Sequence, residues 1–497
     1  MKGSHVCKMD TTKKVVLIVL PLLVAVLSIS IWFSATAVDR TDGSVLFTFI
    51  LNWMLGLCAL EWEIYRRPIS FAQIHWLFFL VFLVIAPWSQ YLSDYRCWGY
   101  HATSDSLLYA NWLLFGWGIV FLVVSVFPQS ILYRMWRRVA QPLSKGKYLP
   151  IIKSEQRKSL DFSYSIFSYI ALLLCSTICF VLLCAMAGFH NLFSKATVGL
   201  DGNNTQQLIV GVVFRAIPLF VFLFTVLGYK NSHVKRWMVV YASVLLLLTN
   251  FPTSLARVVA AATFGGLVLI FLPQLRKKNG LFILVLLVGL LVVFPAINVF
   301  RKETLNLGVA LTSVQEAILG IPKGFNYEDF DAFSMFMRAL DYVRDYGSTH
   351  GLELLSSILF FVPRALWPGK LYGSGTTIGE AAHLPWTRLS TPLPGEGVMN
   401  FGVIGVFLFA IFTAAICRYL DSRYHHGVAD GLHFFYPFAL IFFFVIMRGE
   451  LMSALSVTVG YAVVYVLLLF MASKIDHVIS IVKEKIFQGG KVNTLPS

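Results

Sequence analysis

Arg215 lies in the run Leu-Ile-Val-Gly-Val-Val-Phe-Arg-Ala-Ile-Pro, which holds no other charge. At 1.5 Å per residue its backbone stands about 10 Å from the start of that run at Leu208. A mid-bilayer arginine costs roughly 2.5–3.5 kcal/mol on insertion scales, so its presence points to an anion site, a structural ion pair or a snorkelling side chain. Arg257 follows the tight turn Asn250-Phe251-Pro252-Thr253-Ser254 and opens the next apolar run. Arg448 and Glu450 share a short turn between the last two apolar stretches, where they could form a solvated pair. Guanidinium forks match phosphate oxygens and stay charged at any depth. Three arginines at one face of a membrane predict a convergent cationic site.

Two further segments concentrate polar and aromatic residues. Phe361-Val362-Pro363-Arg364-Ala365-Leu366-Trp367-Pro368-Gly369-Lys370 is framed by prolines and carries both cations and rings. Pro394-Gly395-Glu396-Gly397-Val398-Met399-Asn400-Phe401-Gly402 places Glu396 and Asn400 where an apolar helix begins. His350, Glu380, His383 and Arg388 are near them in the chain.

The elements that position these residues follow from composition. The 497 residues are 58% hydrophobic and only 13% charged, about half the charge of a soluble domain. The surplus of +15 is dispersed among loops between apolar runs, which suits anionic headgroups and membrane orientation and excludes a nucleic-acid partner. The seven cysteines have neither the spacing of a zinc site nor that of a disulfide framework. No repeat or low-complexity tract is present.

A helix crossing needs about 20 apolar residues. Such stretches begin near Val15, Val45, Phe71, Leu107, Phe162, Leu208, Trp237, Leu255, Leu281, Phe401, Leu432 and Ala454. The sequence therefore predicts an all-α polytopic membrane protein of about twelve transmembrane helices with both termini inside. Residues 1–300 form an N-terminal transmembrane region of about nine helices, and residues 301–400 one large outward loop of short helices. Residues 401–472 form a C-terminal region of about three helices, and residues 473–497 a basic amphipathic cytoplasmic tail. Lys13, Lys14 and Ala35-Thr36-Ala37 mimic a signal peptide, but an apolar run longer than about 15 residues predicts an uncleaved first helix.

Charge sets the orientation. The connection Gln129–Leu160 holds eight Lys/Arg against one Glu, and Arg66–Arg67, Lys230–Arg236, Arg276–Lys278 and Arg418–Arg423 fall on the same side. The 301–400 segment holds eight Lys/Arg against ten Asp/Glu, a net charge of −2, and faces outward. Within it Asn326 can cap a helix with Phe330, Phe333, Met337 and Leu340 on one face, and Leu352–Phe361 can lie at the interface. Outside the cell there is no ATP or nucleotide sugar, so chemistry there needs a substrate that arrives activated, attached to lipid.

Pro-Arg-x-x-Trp-Pro-x-Lys at Pro363 to Lys370, then Gly-Glu-Gly-x-x-Asn-Phe-Gly-x-x-Gly at Gly395 to Gly405, resembles Wzy-type O-antigen and oligosaccharide repeat-unit polymerases. Arg257, opening a helix after a short outward turn, fits the same pattern. The resemblance covers roughly Asn250 to Glu450 and does not reach the N-terminal half. It implies a GT-C-like glycosyltransferase of the bacterial inner membrane with its active site facing the periplasm. Such enzymes move a growing glycan from undecaprenyl diphosphate onto a new lipid-linked repeat unit. Under that reading Arg215, Arg257, Arg448 and Arg364 bind the diphosphate. Glu396, His383 and Glu450 are the candidate catalytic bases, Glu396 ahead of His383 because flanking glycines allow close approach. Trp367, Tyr372, Trp386 and Asn400 contact the glycan. No metal and no cofactor are expected; the partners are undecaprenyl-diphosphate-linked glycans, membrane lipids and a chain-length-regulating co-polymerase. An O-antigen ligase, which would use His383, and a lipid-linked oligosaccharide flippase are the alternatives.

Overall fold

Most of the long regular elements coincide with the apolar runs of the sequence. The computed structural model describes residues 11–36, 41–126, 162, 164–193, 204–231, 234–252, 254–293, 320, 324–384, 386, 389–425 and 431–489. The basic 129–160 connection and the first part of the outward loop, with Arg388 further on, lie outside the described residues. All regular structure among the described residues is helical.

In chain order the helices are α1 (Thr11–Ser34), α2 (Gly43–Arg66), α3 (Phe71–Leu92), α4 (Ser104–Val126), α5 (Ile166–Ala187), α6 (Asn204–Lys230), α7 (Arg236–Thr249) and α8 (Arg257–Phe271). There follow α9 (Leu281–Val288), α10 (Ala332–Tyr346), α11 (Leu352–Ile358), α12 (Ser374–Ala381), α13 (Leu393–His425), α14 (Tyr436–Arg448) and α15 (Leu451–Gly489). Eight of these are long and apolar enough to cross a bilayer: α1 to α6, α13 and α15. The chain is a multi-pass membrane protein. The other four expected stretches coincide with shorter apolar helices, α7, α8, α9 and α14.

The chain divides into two compact units. The first comprises Met1–Ile151, Phe271–His426 and Phe443–Ala454; the second comprises Ile152–Ile270, Gly427–Phe442 and Leu455–Ser497.

The first unit is built around α3, which is buried over nearly its whole length. A helix apolar on all sides belongs at the centre of a bundle. Ser70 caps it by accepting from the Gln73 N–H at 3.1 Å, and Asp421 accepts from the Phe71 N–H at 2.8 Å. Its middle widens into π turns over Phe79–Ile85, directly ahead of Pro87, whose missing N–H leaves the ladder one donor short.

The two ends of this unit collect the segments that charge alternation assigns to opposite faces. At one end Arg67 pairs with Asp421 at 3.4 Å, His425 meets the Ile69 carbonyl and Asn279 donates to the Ile64 carbonyl. At the other, Gln90 donates to the carbonyls of Phe325 and Phe330, and Phe82 stacks on Phe330. Trp98, Tyr95 and Tyr100, in the α3–α4 connection, donate to Asp331, Glu328 and Asp341. The described part of the large loop is therefore anchored on the ends of the membrane helices.

Two local expectations are revised. The helix expected from Asn326 begins at Ala332, because Glu328–Phe330 tightens into a 3-10 turn and Asn326 accepts from Ser89 instead. The tail is not a separate helix: α15 runs unbroken through Gly489, since no Gly or Pro interrupts residues 461–488.

In the second unit Gly228 lets α6 approach Tyr169 of α5, and Gly266 of α8 lies against Phe438. Ser165 at the start of α5 donates its N–H to Asp476 at 2.7 Å.

Candidate functional site

The glycines of the 395–405 motif make a fold-back. Phe401 (φ −137°) and Gly402 (φ 62°, ψ −152°) break α13 into a short arm, Leu393 to Asn400, and the long arm that follows. Gly402 takes a conformation that side chains avoid. In a continuous helix residues eight apart are about 12 Å distant. Here a Cβ on Gly397 would stand 2.7 Å from the carbonyl carbon of Gly405, so the two backbones touch. Only two glycines allow that approach.

The short arm is wholly buried and carries Glu396 and Asn400. Asn400 Oδ1 accepts from the Leu354 N–H at 2.7 Å, and its amide donates to the Glu396 carbonyl at 2.9 Å. Thr349 and Gly351 donate to the Met399 and Asn400 carbonyls. Asn400 thus caps α11 and holds the loop to the arm. Its polar atoms are spent inside the protein, which leaves none exposed for a glycan.

α11 has inverted amphipathicity. Glu353, Ser356 and Ser357 are buried while Leu352, Leu355 and Ile358 are exposed. A water-soluble helix does the opposite; apolar-out and polar-in suits a helix that meets lipid outside and a polar site inside.

Three carboxyl groups meet on that polar side. Glu396 Oε1 accepts from Ser374 Oγ at 2.7 Å and from the Leu451 N–H at 2.7 Å, while its Oε2 is buried without a hydrogen bond. Glu353 is 1% exposed and neither of its oxygens has a partner. Glu450, half-buried in the α14–α15 turn, lies against Gly373 and Gly375 at the start of α12, where a side chain on Gly373 would overlap its carboxylate. Burial, then the Glu396 and Glu450 charges, pushes the Glu353 carboxyl well above the usual carboxylate range. Desolvation and like charge both disfavour the anion.

The arginines have definite partners in this unit. Arg448 pairs with buried Asp331 at 3.2 Å rather than with Glu450, and Asp331 also accepts from Trp98 and from Ser390. One edge of the guanidinium, Nε, is buried without a partner. Arg364 donates to the carbonyls of Lys370 and Leu371 and stacks over Tyr372 at 3.9 Å. Lys370 Nζ donates to the carbonyls of Leu359, Phe360 and Val362. The proline-framed segment is thus stapled by its own cations, and the forks of Arg364 are committed to backbone. Trp386 and Tyr372 are exposed and Trp367 is half-buried. His383 is exposed in a left-handed turn (φ 51°) after α12 and is not bonded to Glu396.

Arg215 and Arg257 belong to the second unit. Arg215 is half-buried on α6, near the phenol of Tyr461, and its carbonyl accepts from the Asn250 amide at 3.0 Å. Arg257 is the first residue of α8, as the turn before it predicts.

Glu353 was missed by the sequence reading. One acid in the first turn of a helix is ordinary; the signal lay in its register with Ser356 and Ser357 against three exposed apolar residues. No protein-family model matches this chain, and no curated protein or solved structure matches it either.

Proposed function

We propose that the chain is a membrane glycosyltransferase of about twelve spans and GT-C-like architecture. It joins undecaprenyl-diphosphate-linked oligosaccharide repeat units on the periplasmic face of the bacterial inner membrane. The observation that carries the reading is the carboxylate site at one end of the first unit: Glu396 fixed by two donors, Glu353 behind it, and Glu450 at the accessible edge. A transfer needs a base where an acceptor hydroxyl arrives. Glu450 is the carboxylate placed to meet one, and Glu396 fixes the Leu451 N–H of the same turn.

In this reaction the acceptor O–H gives its proton to the carboxylate. The acceptor oxygen bonds to the anomeric carbon of the donor glycan, and the bond from that carbon to the diphosphate oxygen breaks. Undecaprenyl diphosphate leaves with the electron pair. Developing charge on a diphosphate calls for fixed guanidinium donors, and Arg448 is the arginine of this unit that stands in the same turn as Glu450. Arg448 is held against Asp331 at 3.2 Å, and exposed Trp386 and Tyr372 offer rings to sugars. A chain-length-regulating co-polymerase is the proposed protein partner.

The test is a purified Glu450→Gln variant with lipid-linked repeat units as sole substrate. Donor binding should persist while elongation stops, and a chromosomal deletion should leave single repeat units on the lipid core in a lipopolysaccharide gel. Elongation by Glu450→Gln at the wild-type rate, with His383→Ala inactive, would transfer the base to the histidine and the reading to a ligase. A deletion strain with normal long chains would remove the function altogether.

A further inference from the structure

Of the three carboxyl groups, two have something to hold a negative charge. Glu396 receives a hydroxyl and a backbone N–H. Glu450 lies over Gly373 and Gly375, at the N-terminal end of α12, where the first backbone N–H groups and the helix dipole favour an anion. Glu353 receives nothing: it is 1% exposed and both oxygens are buried without a partner. An ionised carboxylate so placed costs several kcal/mol unless a cation joins it. Among the described residues the groups that face it are Glu396 on the short arm of α13, Glu450 in the α14–α15 turn and Tyr342 on α10, and none is a cation.

We propose that Glu353 stands as a neutral carboxylic acid in the folded protein and is the positioning residue that fixes the charge of this site. While it keeps its proton no charge is added beside Glu396 and Glu450, and Glu396 retains the bonds to Ser374 and Leu451 that hold the turn bearing Glu450. When Glu353 loses its proton a negative charge enters the cluster, and the pair Glu353–Glu396 titrates together. The high folded-state position of the Glu353 carboxyl agrees with this placement. The inference rests on the same carboxylates as the transfer reading, yet it needs no substrate to be tested.

The measurement is infrared spectroscopy of the purified full-length protein in lipid nanodiscs, with no glycan present. At about pH 7, where ordinary carboxyl groups are ionised, the wild type minus Glu353→Gln difference should contain the carbonyl band of a protonated carboxyl, shifted in D2O. That band should titrate away only in alkaline buffer. A folded Glu353→Gln with no such difference band overturns the proposal. Where Glu353→Gln does not fold, Glu450→Gln is the second variant. Removing one neighbouring charge should lower the midpoint at which the band disappears by up to about one pH unit. An unmoved midpoint there assigns the band to another buried acid and also overturns the proposal. Loss of the band with glycan transfer intact defeats this inference alone, whereas a band that persists in a protein unable to transfer glycan defeats only the transfer reading.

Discussion

Gly373→Ala is the sharpest test of whether Glu450 sits where the chemistry happens. Gly373 has φ −71°, an ordinary conformation for alanine, so the backbone itself tolerates the change. The added Cβ would overlap the Glu450 carboxylate and stand 2.6 Å from its Cγ. Carbon atoms rest at about 3.5–4.0 Å, and the added Cβ would stand 1.9 Å from the Glu450 carboxyl carbon, so the carboxylate must retreat by about 2 Å. Because the obstructed atoms end a flexible side chain, the folding cost should fall at the lower end of the ~1–3 kcal/mol typical of overpacking. A misplacement of about 1 Å at a reacting group costs on the order of 10²-fold in rate. The assay is initial elongation rate on lipid-linked repeat units beside thermal unfolding of the same preparation. Elongation should fall by at least about two orders of magnitude while the unfolding temperature moves by only a few degrees. Gly373→Ala combined with Glu450→Gln should be no slower than Glu450→Gln alone. Wild-type elongation by Gly373→Ala would refute the placement of Glu450 in the site, and a collapse in stability equal to the loss of rate would refute the argument that only a side chain is displaced.

Two further outcomes follow from the same region. Asp331→Ala removes the partner of Arg448, Trp98 and Ser390 at once and should destabilise the protein by about 3 kcal/mol, as expected for breaking a buried pair; an unchanged unfolding temperature would count against the hub. For Glu353 the folded-state carboxyl lies above its unfolded value, so its contribution to stability is complete below about pH 4.3 and is lost as pH rises toward the folded value. Unfolding free energy should therefore decline from mildly acid to alkaline buffer, by at most about 1.4 kcal/mol per pH unit for one proton, with the unfolding temperature falling alongside, and Glu353→Gln should flatten that decline.

The membrane helices were legible because their signal is local. Eight of the twelve expected stretches are helices long and apolar enough to cross a bilayer and the other four are shorter apolar helices, and within the first unit Arg67 meets Asp421, as the charge pattern sorts them. The glycine motif announced a special backbone, but not that Gly397 and Gly405 would touch, since the break at Gly402 reverses the chain in three dimensions. The partner of Arg448 was hidden for a related reason: Asp331 is 117 positions away, and the nearer Glu450 offered a simpler pairing. Arg364 looked like a ligand because a free cation beside prolines does; its carbonyl partners are backbone atoms, which no residue type reveals. Glu353 was invisible for the opposite reason, being an ordinary acid in an ordinary place whose neighbours are contributed by three distant segments.

The inverted face of α11 sets a limit on how this protein can be handled. Leu352, Leu355 and Ile358 are exposed, and so are Phe361 and Leu366 beyond the helix. Excised from the membrane helices, the outward loop would present that surface to water and lose the Gln90 and Trp98 anchors that hold it. It would self-associate rather than behave as a soluble domain. Antibodies, binding assays and crystals raised against the isolated loop would then report on an aggregate, whereas the full chain in a lipid disc offers that apolar surface acyl chains to meet and leaves Glu353 and Glu396 buried.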